Sequence, residues 1–553
     1  MRRVFGFGKG MKGISGKEWI LLSDLIKPDH GLLKRVGYLK AQILANRNME
    51  EGALEGKLKK LIPPFEIPNI ERATELIAEH VRSGKRIVLF GDYDVDGITG
   101  TAILYDLLKK AGARVLPLLP SRKRGYGLTK ELVSKLGRYA DLLVTVDNGT
   151  TAVEELGVSE MPVVVLDHHN PDERLPSALI VNPKLKENGY KELSEISSSG
   201  LAFYLALLLR KELDLDLDVR EYLHFACMGT VADAMPMNFL NRIIVSNGIR
   251  LLNHILNGGY HAPGIRLLME KSGIRDDVTS RDIAFSLAPR LNAPGRVAKP
   301  HVAIKLLLER DEKKAKELAE RIDKLNNYRK HLSQVAFEEA MRQAEGQKEE
   351  NVILVVLENW AGGVAGIVAG RLSHIFSKPA VVISLGKEYS SASVRGQEGM
   401  DVYSPLKSLS HLFARWGGHS AAAGFTIRTE LIPIFERLVR LAFPRERSGF
   451  EGRVLIDVHL PLSCINQDIY NLLKELEPYG EGFPEPFFLS EPLKVASLGE
   501  RGGKLRLRTG DFLLLSWDSN FFRGIGFPID GKRIVYQLDR KRPKTLLLVD
   551  VEA

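Results

Sequence analysis

Short apolar runs alternate with helix-compatible segments between residues 66 and 308. Each run is followed by a polar turn and then by sequence that can form a helix, which is the pattern of a mostly parallel, doubly wound sheet. Ligands bind such sheets at the carboxyl ends of the strands, so the residues that follow each run are the first candidates for a site. The predicted strands cover residues 87–90, 115–119, 142–146 and 163–166.

A different pattern begins at residue 309. Between residues 309 and 347 there is almost no Gly or Pro, and apolar residues recur at helical spacing, which predicts one long helix connecting two domains. A second α/β unit is predicted over residues 348–445. The short strands of residues 446–553, divided by Gly, Pro and Asp, predict a small β-barrel or sandwich. Residues 1–65 are expected to form an N-terminal extension packed on the segment that follows.

The composition is that of an ordinary globular protein. The chain has 553 residues, of which 44% are hydrophobic and 27% charged, and these values exclude a disordered or fibrous chain. The longest apolar stretch is too short to span a bilayer, and the N-terminus lacks the apolar core of a secretion signal. Cys227 and Cys464 are the two cysteines, which excludes a disulfide framework, so we expect a cytoplasmic protein without membrane contact.

The net charge of +9 predicts a surface that attracts polyanions. The charge is concentrated near the end of the chain, where residues 501–545 contain 11 Lys or Arg and 4 Asp. Charge alone leaves two interpretations open, a solvated basic face or a nucleic-acid-binding surface.

Acidic and histidine side chains follow several of the predicted strands. In a parallel sheet they converge on one edge, and carboxylates that lie close together cannot all stay ionised without a cation. Oxygen ligands with one or two imidazoles suit Mn²⁺ or Mg²⁺ better than zinc, and two such ions can clamp an in-line displacement at phosphorus. The residues are Asp92, Asp94, Asp96, Asp147, Asp167, His168, His169 and, further along the chain, Asp233.

Each of these segments also has a purely structural interpretation. A DxDxD turn is more often a solvated loop than a metal site, and adjacent histidines often include one that packs or caps a helix. Asp147 before Asn-Gly fits ordinary turn chemistry. All of these interpretations would have to hold at once in one domain, and this favours the metal site.

Four segments, in this order, resemble the motifs of the DHH phosphoesterase superfamily: GDYDVDG (91–97), VDNG (146–149), DHH (167–169) and GTVADAM (229–235). Four more narrow the resemblance to its RecJ family of single-stranded-DNA exonucleases: APRLNAPGR (288–296), GVAGIVAGRL (363–372), GGHSAAAG (417–424) and PYGEGFPEP (478–486). The resemblance implies an α/β multidomain protein. Its parts are a doubly wound DHH domain over 66–308, the connecting helix, a smaller DHH-associated α/β domain and a C-terminal OB-type barrel that binds nucleic acid.

The same resemblance implies two divalent ions, Mn²⁺ or Mg²⁺. Asp147 is expected to bridge them, His169 to lie beside the scissile phosphate as electrophile or proton donor, and Asp167 to orient the histidines. The superfamily can carry a histidine ligand where this chain has Phe90, and Asp92 is expected to substitute for it. The implied metal ligands are Asp92, Asp94, Asp96, Asp147, His168 and Asp233.

The resemblance also suggests how a DNA strand is held. Arg290 and Arg296 flank Asn292 in a predicted loop, and each arginine either pairs with a carboxylate or grips the DNA backbone. Ser393, Arg395, Gly417, Gly418 and His419 are expected to face the metals and hold a 5′-terminal phosphate. Arg122 is a further candidate, although its segment lacks the family's usual Glu. In the barrel, Arg506, Arg508, Trp517 and Arg523 are expected to contact the strand.

The predicted activity is hydrolysis of single-stranded DNA, by family analogy from the 5′ end, to 5′-mononucleotides in repair and recombination. A single-stranded-DNA-binding protein and a helicase are the expected partners of a monomeric enzyme. Two alternatives stay open. One is a relative that cleaves short oligonucleotides or cyclic dinucleotides and generally lacks the barrel, and the other is a non-catalytic replisome scaffold that has lost metal ligands.

Overall fold

The computed structural model describes residues 11–120, 127–186, 190–358, 362–397, 399–443, 452–501, 504–516 and 529–553. The chain forms two compact units. The α/β unit comprises Ile62–Asp233 and Gly248–Ser448, and the barrel unit comprises Met1–Leu61, Ala234–Asn247 and Gly449–Ala553. No helix in the described part of the chain combines the length and apolar character that a bilayer crossing requires.

Helices and strands are numbered in chain order. The helices are α1 Leu22–Leu25, α2 His30–Val36, α3 Tyr38–Asn46, α4 Ile70–Arg82, α5 Val95–Lys110, α6 Lys130–Leu136, α7 Val153–Leu156, α8 Ser198–Glu212, α9 Leu223–Ala232, α10 Phe239–Leu256, α11 Pro263–Lys271, α12 Ser280–Asp282, α13 Ala288–Val297, α14 His301–Leu308, α15 Glu312–Ala344, α16 Ala365–Phe376, α17 Tyr403–Ser408, α18 Ile432–Ala442 and α19 Gln467–Glu475. The strands are β1 Met11–Lys12, β2 Glu18–Leu21, β3 Arg86–Gly91, β4 Arg114–Leu118, β5 Leu142–Val146, β6 Val163–Leu166, β7 Leu179–Val181, β8 Ile353–Leu357, β9 Ala380–Ser384, β10 Tyr389–Arg395, β11 Phe413–His419, β12 Ala422–Arg428, β13 Arg453–Ile456, β14 Val458–His459, β15 Phe488–Leu489, β16 Leu493–Arg501, β17 Lys504–Thr509, β18 Phe512–Ser516, β19 Ile529–Lys532, β20 Ile534–Leu538 and β21 Thr545–Val551.

Five parallel strands form the first sheet of the α/β unit, in the order β4-β3-β5-β6-β7. Strands β5 and β6 are buried along their whole length, as expected of strands inside a parallel sheet. Gly91 is opposite Val146, and Val146 is opposite Leu166, so β3, β5 and β6 end level with one another. The predicted parallel sheet is confirmed, and the residues just beyond these three ends share one edge.

Helix α5 begins at Val95, within the Asp-rich segment that follows β3. Asp94 caps it, because its Oδ1 accepts a hydrogen bond of 3.1 Å from the Gly97 N–H, and aspartate is a favoured residue at this position. The DxDxD segment is therefore a strand-to-helix junction. This geometry keeps its carboxylates at the edge of the sheet rather than in a solvated loop.

The second sheet has the order β11-β12-β10-β9-β8, in which β8 and β9 are parallel and the other neighbours are antiparallel. The predicted connecting helix is α15, a single helix of 33 residues. Ala315 and Ile322 are buried near its start, while Ala336 and Ala340 near its end belong to the apolar core of the second sheet. The helix therefore carries the chain from one sheet to the other.

Gln343 of α15 and Gln347, in the 3₁₀ turn that follows the helix, close the outer edge of strand β8. Gln343 donates from Nε2 to Val356 O (2.9 Å) and accepts at Oε1 from Val356 N–H (3.1 Å). Gln347 makes the same pair of bonds with Leu354, at 2.7 and 3.0 Å. Four residues of a helix rise about 6 Å, close to the length of two residues in a strand, so each amide meets one exposed backbone pair. An open strand edge can pair with another chain, and this edge is covered.

Eight strands form the sheet of the barrel unit, in the order β14-β15-β20-β21-β18-β17-β16-β19. Phe488, Leu514 and Tyr536 are among the buried residues of its own apolar core. The β-barrel fold predicted for the C-terminal segment is thus confirmed, and helix α19 lies between β14 and β15. Residues 453–459 form two short strands, β13 and β14, divided at Asp457, and β13 joins β1 and β2 in a separate three-stranded sheet.

The N-terminal segment differs from its expected packing. Strand β2 pairs in parallel with β13, and Arg47 forms a buried ion pair with Asp457. The segment therefore belongs to the barrel unit rather than packing only on the residues that follow it. Its partners lie more than 400 positions away along the chain, and local sequence patterns carry no signal of such pairing.

Replacing Gln343 and Gln347 together by Ala should remove four hydrogen bonds from β8 and open its edge. We expect the free energy of unfolding to fall by about 2–4 kcal/mol, since each of the four partly exposed bonds contributes about 0.5–1 kcal/mol. Light scattering should then detect self-association. Lys330→Ala, on an exposed position of the same helix, is the control. Equal stability and mass in the double variant and the control would show that the glutamines do not protect the edge.

Candidate metal centre

Asp147 lies at the centre of the shared sheet edge. It follows β5 directly with φ at 65°, a conformation that Asp tolerates better than most residues. Its N–H donates to Leu166 O (2.9 Å), and Ser198 Oγ donates to its Oδ1 (3.0 Å). Only 3% of the residue is exposed. The carboxylate is therefore buried and held in one orientation.

The side chains predicted as metal ligands gather around Asp147. They form three overlapping groups, and the potential ligand atoms within each group all lie within 4.8 Å of one another. Asp147 and His168 each belong to two groups. The groups are Asp92, Asp94 and Asp147; Asp96, His168 and Asp233; and Asp147, His168 and His169. Phe90 lies in β3 with its side chain buried in the core, while Asp92 lies within the first group.

The surroundings of His168 indicate whether this cluster suits a cation. Its ring is buried, and neither Nδ1 nor Nε2 has a hydrogen-bond partner. Nε2 is 3.5 Å from Asp147 Oδ1 and 3.3 Å from Asp233 Oδ2. Burial, together with the charge of His169, lowers the pKa of His168 to about 4, so the ring is neutral at pH 7. A neutral imidazole nitrogen that faces two carboxylate oxygens is a donor set suited to a divalent cation.

The carboxylates of the cluster oppose one another's ionisation. Burial raises the pKa of Asp147 well above its ordinary value, and the charges of Asp94, Asp96 and Asp92 raise it further. Burial, followed by the charges of Asp96 and Asp94, raises the pKa of Asp233 to about 8. Without a cation Asp233 keeps its proton at neutral pH, and a divalent ion would displace it.

Asp96 has a second task at this edge. Its Oδ2 accepts from Ser198 N–H (2.7 Å) and its Oδ1 from Ser199 N–H (2.9 Å), at the start of helix α8. Each carboxylate oxygen has a further lone pair, so Asp96 can fix α8 and still face an ion. Gly229 is needed here, because a Cβ at that position would lie 2.4 Å from Asp96 Oδ1.

His169 faces outward from the cluster, with 54% of its side chain exposed. Its Nδ1 lies 2.7 Å from Asp167 Oδ1, and Asp167 also accepts main-chain bonds from Thr150 (2.9 Å) and His168 (2.8 Å). Burial alone would lower the pKa of His169, but the bond to Asp167 raises it to about 9. Burial alone would raise the pKa of Asp167, but the bond from His169 holds it well below its ordinary value. Because Nδ1 bonds Asp167, the imidazolium can donate its Nε2–H to an anion.

The second sheet approaches the same edge through helix α13. Arg296 Nη1 donates to Gly363 O (3.1 Å), and a Cβ on Gly295 would lie 3.0 Å from Tyr93 O, between Asp92 and Asp94. The pKa of His419, in strand β11, is lowered by burial and then by the positive charges of Arg395 and His169. The end of β11 thus lies within electrostatic reach of His169.

The predicted loop around Asn292 is wrong, because Ala288–Val297 forms helix α13. Pro289 stands in its first turn, where a missing N–H costs little. Arg290 donates to Asp323 Oδ1 (3.1 Å), Ser286 O (3.0 Å) and Lys271 O (3.1 Å). Of its two predicted roles, pairing with a carboxylate is the one found in the structure, since this guanidinium joins α13 to α15 and α11.

The remaining predicted contacts are distributed over both units. Ser393 is half-buried in β10, and Gly417, Gly418 and His419 are exposed in β11. In strand β17, Arg506 is half-buried and Arg508 exposed, and both lie on the face opposite buried Leu507. Arg122, Trp517 and Arg523 lie outside the described residues.

Three polar residues that support the centre were not identified from the sequence. Ser198 bonds Asp147, Thr150 bonds Asp167, and Asn182 Nδ2 donates to His169 O (2.9 Å). The Ser197–Gly200 run at the start of a helix is a capping signal that could have been noticed. Asn182 had no such signal, because it reaches the histidines only through the pairing of β6 and β7.

Three segments of the chain match known domain families. Residues 86–230 match the DHH family, N-terminal domain, residues 349–442 match the DHHA1 domain, and residues 456–539 match the RecJ OB domain. Together with the cation-binding edge of the first sheet, these matches define a phosphoesterase of the DHH class.

Similar proteins narrow this class. The single-stranded-DNA-specific exonuclease RecJ of Thermus thermophilus is 34% identical over 466 residues, covering 83% of this chain and 67% of that protein. RecJ of Escherichia coli is 31% identical over 482 residues, covering 81% of this chain and 82% of that protein. The chain belongs to the RecJ family of single-stranded-DNA-specific exonucleases.

Solved structures agree with this assignment. The crystal structure of RecJ in complex with Mn²⁺ from Thermus thermophilus matches with a TM-score of 0.82 and 29% identity, covering 97% of this chain and 79% of that chain. The complex of the same protein with Mg²⁺ matches with a TM-score of 0.76 and 28% identity, covering 97% and 78%. The predicted fold class is confirmed.

Binding of Mn²⁺ should tighten from pH 6 to pH 8 and release about one proton at pH 7. Asp233, with its pKa of about 8, holds a proton in the metal-free protein at pH 7, and the ion displaces it. Titration calorimetry in two buffers of different ionisation enthalpy measures the proton count. Asp233→Asn should release fewer protons. Equal affinity at both pH values, without proton release, would contradict the assigned cluster.

The same shift predicts how the metal-free protein responds to pH. The pKa of Asp233 is about 8 in the folded state and 3.8 in the unfolded state, so the folded state binds this proton more tightly. Proton binding therefore contributes in full to the free energy of unfolding below about pH 4. This contribution is lost as the pH rises towards 8, and saturating Mn²⁺ should offset the loss.

Proposed function

We propose that this protein is a metal-dependent exonuclease that hydrolyses single-stranded DNA from the 5′ end and releases 5′-mononucleotides, in DNA repair and recombination. Its membership of the RecJ family supports single-stranded DNA as the substrate. The observation that carries the chemistry is the buried, unpartnered imidazole of His168 facing the carboxylates of Asp147 and Asp233.

The cluster would hold two divalent ions, Mn²⁺ or Mg²⁺. Asp147 is the proposed shared ligand, because it belongs both to the group with Asp92 and Asp94 and to a group with His168. When bound, such ions acidify water and offset the charge of a phosphate. The proposed ligand set is Asp92, Asp94, Asp96, Asp147, His168 and Asp233.

His169 is the proposed catalytic residue outside the ligand set. Its Nε2–H faces away from Asp167 and would donate to an oxygen of the scissile phosphate, where negative charge grows during the reaction. Asp167 acts through His169, because it fixes the ring and keeps it charged. Asp167 is therefore a positioning residue.

The DNA strand would lie between the metal edge and the second sheet. Asn292 and Arg296 of α13 are proposed to contact its backbone, and a 5′-terminal phosphate would be held by Ser393, Arg395, Gly417, Gly418 and His419. Arg290 supports α13 through Asp323 rather than gripping DNA. Arg506 and Arg508, together with Arg122, Trp517 and Arg523, stay proposed contacts of the incoming strand.

Two further proposals concern organisation and setting. We assign residues 1–65 to an N-terminal extension, 66–308 to the catalytic domain, 309–347 to the connector, 348–445 to the DHH-associated domain and 446–553 to the barrel.

A monomer in the cytoplasm, working with a single-stranded-DNA-binding protein and a helicase, fits a repair exonuclease. The match to a RecJ OB domain favours long strands over cyclic dinucleotides, and the gathered ligands disfavour a non-catalytic scaffold.

Oligonucleotides labelled at either end test the direction of digestion. With Mn²⁺ and single-stranded DNA, the 5′ label should be released first and as a mononucleotide, while a duplex of the same sequence should be resistant. Asp147→Ala should abolish release, because it removes the shared ligand. Release of the 3′ label first would refute the proposed polarity, and equal cleavage of duplex would refute the substrate class.

Asp167→Asn should reduce kcat by about 10–100-fold, since outer-shell partners typically contribute this much. The change removes the charge that orients His169 but leaves the metal ligands in place, so KM and Mn²⁺ binding should change little. Asp172→Asn, at an exposed position of the same segment, serves as the control. Unchanged kcat in Asp167→Asn would exclude the proposed role of this pair.

A further inference from the structure

Lys184 lies in the turn that follows β7, the outer strand of the first sheet. Val181, the last residue of β7, is opposite Leu166, the last residue of β6. The residues after Val181 therefore begin level with Asp167, His168 and His169. Counting from the two strand ends, Lys184 corresponds to His169.

Asn182 ties this turn to the histidine segment. Its side chain is fully buried, and Nδ2 donates to His169 O (2.9 Å) and to Thr150 Oγ1 (3.1 Å). Its Oδ1 accepts from Lys184 N–H (2.9 Å). The side-chain amide of Asn182 thus bonds the backbone of both Lys184 and His169, and this fixes the two backbone segments relative to each other.

The charge of Lys184 acts on the metal centre. Lys184 is half-buried, and no carboxylate of the described residues forms an ion pair with it. Its positive charge adds to the lowering of the pKa of His168, which burial dominates, and offsets part of the rise that burial causes in the pKa of Asp233. A cation in this place repels a divalent ion and carries a desolvation cost. An anion brought by the substrate would offset both effects.

We propose that Lys184 is a substrate-binding residue whose ammonium group contacts a phosphate of the DNA strand next to the one that is cut. The inference deepens the proposed function and rests on it for the identity of the strand. A phosphodiester fits because the turn faces the same sheet edge as His169, where the backbone of a single strand must pass to reach the metals.

Three variants test the proposed phosphate contact: Lys184→Ala, Lys184→Arg and the control Lys191→Ala, at an exposed lysine nearby in the sequence. Fluorescence anisotropy with a single-stranded oligonucleotide and chelated metal measures Kd without cleavage. Lys184→Ala should raise Kd about 10-fold, the effect of one charge-assisted contact. The slope of log K against log salt should fall in magnitude by about 0.7, as for one lost phosphate contact. Lys184→Arg should restore most of the affinity, and Lys191→Ala should bind like the wild type.

Mn²⁺ calorimetry separates a lost contact from a damaged fold. Removing a positive charge beside the centre should leave Mn²⁺ affinity equal or slightly higher in Lys184→Ala, whereas a disrupted turn would lower it. The inference is overturned if Lys184→Ala binds DNA with an unchanged Kd and salt slope, or if it loses DNA and Mn²⁺ together. Failure of the proposed function gives a different result, namely no release of nucleotides by the wild type with Mn²⁺, whatever the Kd ratio.

Discussion

Repulsion among buried carboxylates is the constraint on which this structure depends. Parallel strands that end level with one another bring Asp147, Asp96 and their neighbours to a single edge, where burial makes ionisation costly. The metal-free protein relieves the repulsion by holding protons, as the raised pKa of Asp233 indicates. A divalent cation relieves it better, because it also accepts the lone pair of a neutral imidazole. Metal binding and the stability of this edge are therefore linked.

The fold supports the cluster with hydrogen bonds from outside it. Ser198 and Ser199, at the start of α8, hold Asp96 and Asp147, so one helix terminus stabilises two of the acidic residues. Asp167 accepts several donors and directs His169 outward, which separates the residue that would meet the phosphate from the residues that would hold metal. The two adjacent histidines consequently differ in charge at pH 7, where His168 is neutral and His169 is positive.

The long helix α15 has more than one task. Its first half receives the Arg290–Asp323 ion pair, which anchors α13 close to the turn that carries Asp92 and Asp94. Its second half packs on the second sheet, and Gln343 of the helix closes the edge of β8 together with Gln347 of the following turn. The position of Arg296 and of the β11–β12 hairpin relative to the metal edge thus depends on a helix that contains none of the predicted site residues.

Much of the site was predictable because its residues lie in contiguous motifs at the ends of strands with clear apolar patterns. Asp92, Asp147 and His168 follow such strands, and a parallel sheet must bring them together. The limits of that reasoning are equally physical. Gly and Pro content indicated a loop around Asn292, but packing against α15 favours a helix there. Asn182 and Lys184 follow a strand of three residues, too short to give a periodic signal.

The chain's own sequence determined the order of its domains, the parallel sheet and the identity of the acidic cluster, since these depend on local hydrophobic periodicity and on side-chain chemistry. The tertiary structure alone decided which arginine pairs with a carboxylate, which histidine is neutral, and that the N-terminal segment joins the barrel unit. These outcomes depend on burial and on contacts between residues distant in the sequence, and a linear pattern contains neither.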